Sequence, residues 1–308
     1  VRDRLTLSNF AKAIAPDETT TARAERRLRQ RKYTQEINSV LLGSETRIAD
    51  WLLALAAGAS RATESTPESI NDARFRGASN FAGVGFSDSQ RPALIGPASL
   101  QNPASYNLNG ITLQARESQD HEHHLRWDLS RKLAIGELDS TLKFGSKWSR
   151  RTKENDTEQW AYNSSKAGTA NYWGAGPVSL ASFVQGPLDY PFANLGPGIN
   201  PDLIRARVAG LERAPARLLQ ESVLNDYRMQ EDIDAAYLQT STTLGNWQVL
   251  LGARHEHSAF SASGNQVQGS VVSAVSRQRS YGNWLPNLQL RYDLDKHTTV
   301  RAAITHSV

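Results

Sequence analysis

The sequence contains no cysteine and a single methionine, Met229. Lack of cysteine removes disulfide frameworks, thiolate metal sites and thiol nucleophiles together, and it fits an oxidising compartment without requiring one. Long hydrophobic runs are missing too. The longest nearly uncharged apolar stretch, Trp51 to Ala59, is about half of the ~20 residues that a spanning helix needs. Together with a mean hydropathy of −0.51, this excludes a bundle of transmembrane helices, and a hydrophobic content of 39% excludes a wholly disordered chain. Charge of one sign is scarce: 35 Lys and Arg against 31 Asp and Glu leave +4, which points away from nucleic acid as a partner. No charged n-region followed by an apolar segment and cleavage site is present. The opening at Val1 therefore reads as a fragment or processed product whose natural start is missing. A chain of 308 residues has room for one large domain or two smaller ones.

What is abundant is period-2 alternation, arriving in pairs. In Asn287–Leu294 the apolar Leu288, Leu290, Tyr292 and Leu294 alternate with Asn287, Gln289, Arg291 and Asp293. Successive strand side chains face opposite ways, so this is one apolar and one wet face. After Asp295-Lys296-His297, Val300, Ala302 and Ile304 alternate with Thr299, Arg301 and Thr305, completing a hairpin. A second hairpin runs from Ala236–Leu244 through Gly245-Asn246 into Trp247, Val249, Leu251 and Ala253. A third turns at Ala134–Glu137, between Leu125, Trp127, Leu129 and Leu138, Leu142, Phe144, Trp148. The first pair, Tyr33–Leu42 and Arg47–Ser60, predicts a turn at Gly43-Ser44-Glu45. Between hairpins the connections are long, at about 64–110, 156–226 and 262–279, lengths that in compact domains mean function or disorder. Residues 201–222 read as a helical patch inside the second, with Pro201 suited to its first turn and Pro215 interrupting or splitting it.

Strand pairs joined by short turns at one end and long loops at the other describe an all-β, antiparallel transmembrane β-barrel. Charged members such as Arg126, Asp128, Lys143, Lys147, Arg291 and Arg301 would face a wet lumen, and Leu, Val, Trp and Phe would face lipid. Trp51 and Trp247 follow short turns, and Trp148 and Trp284 sit at the far strand ends. Interfacial girdles place Trp this way, although Trp also favours strands in general.

The stretch Tyr281-Gly-Asn-Trp-Leu-Pro-Asn-Leu-Gln-Leu-Arg-Tyr-Asp-Leu294, with Thr299-Val-Arg-Ala-Ala-Ile-Thr-His-Ser307, resembles the late-barrel segment of TonB-dependent outer-membrane receptors, which carry "Y-x-x-x-L-P-S-L-N-L-R-Y" and then "R-A-A-Y-S-K-T". Glu231–Leu238 and Leu244–Glu256 are similar to the preceding hairpin, with its "G-x-R-x-E". Ile304 stands where the family usually has an aromatic, and His306 where it often has Lys. The resemblance covers about residues 24 to 308 and is most specific in the last quarter. It implies a barrel of about 22 strands, of which about eight are legible, as an open curved sheet. It also implies an N-terminal plug and closing strands that are not found here, so the chain reads as a central barrel fragment spanning 1–308, with 1–24 the remnant of an extracellular loop. The function implied is uptake of a scarce ligand, an iron–siderophore or an oligosaccharide, across the outer membrane of a Gram-negative bacterium, energised by the TonB complex acting on the plug. Outer-membrane lipid and lipopolysaccharide are the implied surroundings. Two other readings stand beside it: a small closed eight-stranded barrel acting as adhesin or enzyme, and a soluble β-sandwich that binds glycans.

No catalytic constellation stands out, and the chain is read as neither an enzyme nor a cofactor protein. Neither Gly58-Ala-Ser60 nor Gly269-Ser270 has nucleophile-elbow spacing. The four Gly-Pro pairs at 96, 176, 186 and 196 punctuate loops. His121 and His123 share a strand face, with Glu122 and His124 beside them, and His255 and His257 flank Glu256. Such pairs suit a metal, or simply a solvated strand end near the rim. The basic run Arg23–Lys32 suits lipopolysaccharide phosphates or a solvated strand extension. Ligand contacts are expected from the loop aromatics Tyr172, Trp173, Phe183, Tyr190 and Phe192, which either stack on a sugar or siderophore or pack the loop on itself. The lumen-facing Arg126, Lys143, Arg254 and Arg291 are expected to add charge to the ligand path.

Overall fold

The computed structural model of the chain describes residues 1–135, 138–163, 172–174, 176–188 and 194–307. In chain order the strands are β1 (Arg2–Ser8), β2 (Thr19–Gln30), β3 (Thr34–Ile48), β4 (Trp51–Gly77), β5 (Phe81–Phe86), β6 (Leu94–Ile95), β7 (Tyr106–Ile135) and β8 (Leu138–Asn163). They continue with β9 (Val184–Pro187), β10 (Pro197–Ile199), β11 (Tyr227–Leu244), β12 (Trp247–Gln268), β13 (Val271–Asp293) and β14 (Thr299–Thr305). One sheet follows the path β14-β13-β12-β11-β8-β7-β4-β2-β5-β6, with β1 on β2 and β3 on β4; β9 and β10 form a separate pair. The fold is an antiparallel β-barrel fragment. Among the described residues β3 pairs only with β4 and β14 only with β13, so the sheet is open.

The chain divides into two compact units. One comprises residues 35–64, 118–156 and 224–308. Its hairpins turn at Ala49-Asp50, at Gly245-Asn246 and at 295–297; the turn expected at Gly136 lies outside the described residues. The ladder places the turns at Gly245-Asn246 and 295–297 at one end, beside the start of β8, since Leu244 faces Trp247, Thr243 faces Asp139 and Trp247 faces Tyr292. Opposed residues of a ladder share a face, so one row runs Ser140–Thr242–Val249–Leu290–Ala302 and the next runs Thr141–Ser241–Leu250–Gln289–Ala303. On the face of the first row Leu238, Leu251, Trp284, Val300 and Ile304 are left exposed, while Val249 and Leu290 are half-buried. A sheet face that offers large aliphatic and aromatic side chains outward is the lipid-facing pattern of a transmembrane barrel.

Two sequence expectations are corrected here. The first hairpin does not turn at Gly43-Ser44-Glu45. Those residues lie within β3, and the turn is formed by Ala49, whose φ is 52°, and Asp50. Gly suggested a break, but Gly43 does not have a positive φ, and the β-branched Thr46 and Ile48 after it favour extended backbone. The connection at 262–279 is no long loop. β12 and β13 continue through it to a two-residue turn at Gly269-Ser270, where Gly269 has φ 62°. Both faces of this ladder mix Ser and Gln with Val, so alternation gives no signal there. For the same reason β4 and β7 reach 27 and 30 residues, leaving shorter connections than 64–110 and 156–226.

The other unit comprises residues 1–34, 65–117 and 157–223 and has a conventional buried core. Ala22, Ala24 and Leu28 of β2, Ile70, Ala73 and Phe75 of β4, and Ile111 and Leu113 of β7 meet Ile199, Ile204 and Val208. Phe75 packs on Phe183 at 5.3 Å between ring centroids, and Phe81 stacks on Tyr106 at 5.5 Å. The Tyr106 hydroxyl donates to the Leu100 carbonyl at 2.7 Å, and burial pushes its pKa up to about 12. The second long connection is partly helical. α1 (Pro201–Ala209) is capped by Asn200, whose side chain accepts from the Asp202 amide at 2.8 Å, and a 3-10 turn containing Pro215 separates it from α2 (Leu219–Val223).

The basic run Arg23–Lys32 follows neither of its two expected readings in full. β2 alternates strictly, so Arg26 points into the core with 0% exposure. Its guanidinium meets the Asp3 carboxylate at 3.3 Å and donates to the carbonyls of Leu195 and Pro197. Asp3 in turn accepts from the Ile199 amide at 2.9 Å. A buried cation is tolerated when it is paired and hydrogen-bonded in this way.

Candidate functional site: the charged face of the sheet

The period-2 rule that puts leucines on one face puts charges on the other, and on three strands it puts them in pairs. Arg126 and Asp128, Arg254 and Glu256, and Arg291 and Asp293 are each two residues apart, hence on the same face of one strand. Each forms an ion pair, at 2.7, 2.8 and 3.0 Å respectively. The Arg-x-acid spacing is visible in the sequence, yet the acids were not among the expected site residues.

The first two pairs belong to one neighbourhood. Tyr237 of β11 lies opposite Gly145 of β8 and opposite Arg254 of β12. Its hydroxyl donates to Asp128, which also accepts from Arg126. Gly145 makes room for this. A β-carbon there would meet the Trp127 carbonyl, the Asp128 carboxylate at 2.7 Å and the Tyr237 ring at 2.9 Å. Lys143, two residues before Gly145, shares the face and lies opposite Gln239. The structure therefore brings Arg126, Lys143 and Arg254 together around Asp128, Tyr237 and Glu256. Arg291 is separate. It lies opposite Gln248 and Arg301, and its row is six residues along β13 from Leu285, the partner of Arg254, or ~20 Å at strand rise. Of these groups sequence reasoning missed Tyr237 and Gly145, whose roles come from cross-strand register.

The loop aromatics are placed differently. Trp173 and Phe183 are buried in the core of the other unit, at 6% and 4% exposure, and Tyr172 packs against that core. Tyr172 also meets Tyr162 edge-on at 5.1 Å, and Arg207 lies over Trp173. In the structure Tyr172, Trp173 and Phe183 pack the loop against this core. Tyr190 and Phe192 lie outside the described residues.

The histidines do not converge on one another. His124 lies against Gly58 and 3.9 Å from Glu122, while the His255 ring meets Trp284 at 4.8 Å, tilted by 53°. Among the described residues no group of three or more His, Asp or Glu side chains is placed to hold a metal ion. What the charged face can do chemically is offer alternating cations, carboxylates and hydroxyls to a polar solute.

Comparison with family profiles agrees with this architecture. The family profile described as "TonB dependent receptor-like, beta-barrel" matches residues 59–308. Among solved structures, the chain is similar to the ferric citrate transporter FecA in its unliganded form, at 13% identity and a TM-score of 0.32. That match covers 91% of this chain and 35% of the transporter. No curated protein matches the chain.

Proposed function

The chain belongs to the TonB-dependent receptor-like β-barrel family, and from that premise we propose that it is barrel wall of an outer-membrane receptor that imports a scarce solute. The solute is an iron–siderophore complex or an oligosaccharide, and the energy comes through TonB acting on a plug domain. Lipid of a Gram-negative outer membrane surrounds the apolar face, and the charged face lines the route inward. The carrying observation is the opposition of the two faces within one unit. Exposed Leu251, Trp284, Val300 and Ile304 stand back to back with the Arg126–Asp128, Arg254–Glu256 and Arg291–Asp293 pairs. Bond making and breaking has no part in this reading.

A small closed barrel would need a ladder between β3 and β14. Among the described residues neither strand makes one, which favours the larger receptor. The test is uptake by cells in which the receptor is the sole route for a labelled ferric siderophore or oligosaccharide. Replacing Arg126 and Arg254 by Gln lowers the uptake rate while surface abundance is kept, and deleting TonB abolishes uptake. Uptake that persists without TonB sinks the proposal.

A further inference from the structure

The unit with the buried core carries, on the side of β2 opposite that core, an arrangement that costs energy as it stands. In the β1–β2 ladder Arg2 lies opposite Arg29 and Arg4 opposite Arg27; in the β2–β4 ladder Arg27 lies opposite Arg74. Opposed residues have β-carbons ~5 Å apart, and like charges there repel. Residues two apart on a strand share the face, so the five guanidiniums form a ladder two rows deep. Among the described residues one carboxylate lies within it. Asp72 is engaged by Arg27 through both oxygens, at 2.9 and 2.5 Å. Arg29 and Arg31 both donate to the single amide oxygen of Asn71. Among the described residues Arg2, Arg4 and Arg74 have no carboxylate partner, and the Nε of Arg74 is buried without a hydrogen-bond partner. The next row is different: Arg76 faces Glu25 and pairs with it at 3.0 Å. Arg2, Arg4, Arg27, Arg29, Asn71 and Asp72 together line a cleft of about 260 Å³.

The geometry points to a binding site for a phosphate-bearing anion on this arginine ladder. Guanidinium forks match phosphate oxygens, and a doubly charged group with three terminal oxygens can accept from several forks at once. Such an anion relieves the repulsion between rows that one paired aspartate leaves standing. The phosphate chemistry rests on the ladder alone. Whether the phosphate is carried by a lipid headgroup or free in solution is a separate question, and only the lipid source depends on the outer-membrane reading given above.

The test uses the protein in neutral detergent and measures affinity for inorganic pyrophosphate and for the lipid phosphatidic acid in mixed micelles. Citrate serves as a carboxylate control. The variant Arg4→Gln/Arg29→Gln leaves the Arg27–Asp72 pair intact. Lys12→Gln/Arg205→Gln removes the same charge elsewhere in the unit. The ladder variant loses affinity by about tenfold or more, the factor that losing a hydrogen bond to a charged group carries, and the control variant does not. Without anion the ladder variant unfolds at the same or a higher temperature than the parent, because repulsion has been removed; that result separates a binding site from a structural one. Binding of both probes, or of either alone, that is lost in the variant supports the site, and the probe that binds names the source. Unchanged affinity in the variant, or citrate binding as tightly as the phosphates, overturns it.

Discussion

Leu250 and Leu251 are adjacent residues of the same type, and they give the architecture its sharpest test. Leu251 lies opposite Thr240 and Leu288 and is 55% exposed. Leu250 lies opposite Ser241 and Gln289 on the charged face. Trp247, at the turn end of β12, marks the interface. Four residues on at ~3.4 Å each, along a strand tilted by ~45°, put Leu251 about 10 Å deep. The apolar band is ~25 Å tall, so Leu251 is close to its midplane. Leu251→Arg in lipid should therefore cost ~2–4 kcal/mol, while Leu250→Arg, facing water, should cost less than ~1 kcal/mol. In a soluble sandwich the order reverses, because an exposed Leu251 would accept arginine freely and the half-buried Leu250 would not. Equilibrium urea unfolding in phospholipid vesicles, followed by tryptophan fluorescence, reads both values. A cost at Leu250 equal to or above that at Leu251 refutes the assignment of faces.

Gly145→Ala should destabilise by ~1–3 kcal/mol, because the new methyl group meets the Trp127 carbonyl and the Tyr237 ring; an unchanged urea midpoint would mean that the Asp128–Tyr237 contact is not held as described. The two glycines expected to make turns should separate: Gly245→Ala, at φ 54°, should cost ~1 kcal/mol, and Gly43→Ala, inside β3 with its nearest neighbour 3.8 Å away, should be neutral or stabilising by up to ~1 kcal/mol. Equal costs would return the first turn to Gly43. The Arg217 guanidinium holds the Glu158 carboxyl below its ordinary value of 4.5, through contacts at 2.5 and 2.6 Å. A depressed carboxyl contributes stability that is present above the unfolded value and lost as pH falls through the folded one. Both groups are about one-third exposed, so screening keeps the contribution under ~1 kcal/mol. Arg217→Gln should flatten the fall in melting temperature below pH 4.5, and a variant with an equally steep fall would assign that limb to other carboxylates.

The hairpins at Gly245 and Asp295 were legible because lipid and water impose opposite demands on alternate residues there, and period-2 contrast is then at its strongest. The same contrast identified Arg126, Lys143, Arg254 and Arg291 as one face. It fails where both faces of a strand pair mix polar and apolar residues, which is why residues 262–279 read as a loop although β12 and β13 run through them. It also says nothing about which strand lies beside which. Tyr237 reaches Asp128 only because β11 pairs with β8 in a register that sets Tyr237 against Gly145, and no local pattern carries that. Arg26 shows the opposite failure: its strand alternates plainly, but charge was weighed above position, and position decided that it is buried.

The pairing of charges on that face bears on what kind of site it is. Arg126, Arg254 and Arg291 each already have an acidic partner two residues away. An anionic solute must displace that partner, and a cationic one must displace the arginine. Partly exposed pairs of this kind are worth ~0–1 kcal/mol each, so the exchange is nearly neutral at every step. A face built from such pairs holds no solute tightly, and offers a succession of weak, equivalent contacts to one moving along it. Tight selection then has to come from groups outside these pairs. Lys143, which has no ion pair among the described residues, is the cation on this face best placed to add to it. Lys143→Gln should accordingly weaken solute binding more than Arg254→Gln does, whereas Arg254→Gln, which leaves Glu256 unpaired, should act mainly on anionic solutes by repelling them. Parallel uptake measurements with a neutral oligosaccharide and an anionic ferric complex separate the two effects, and equal loss for both solutes in both variants would show that the pairs select rather than conduct.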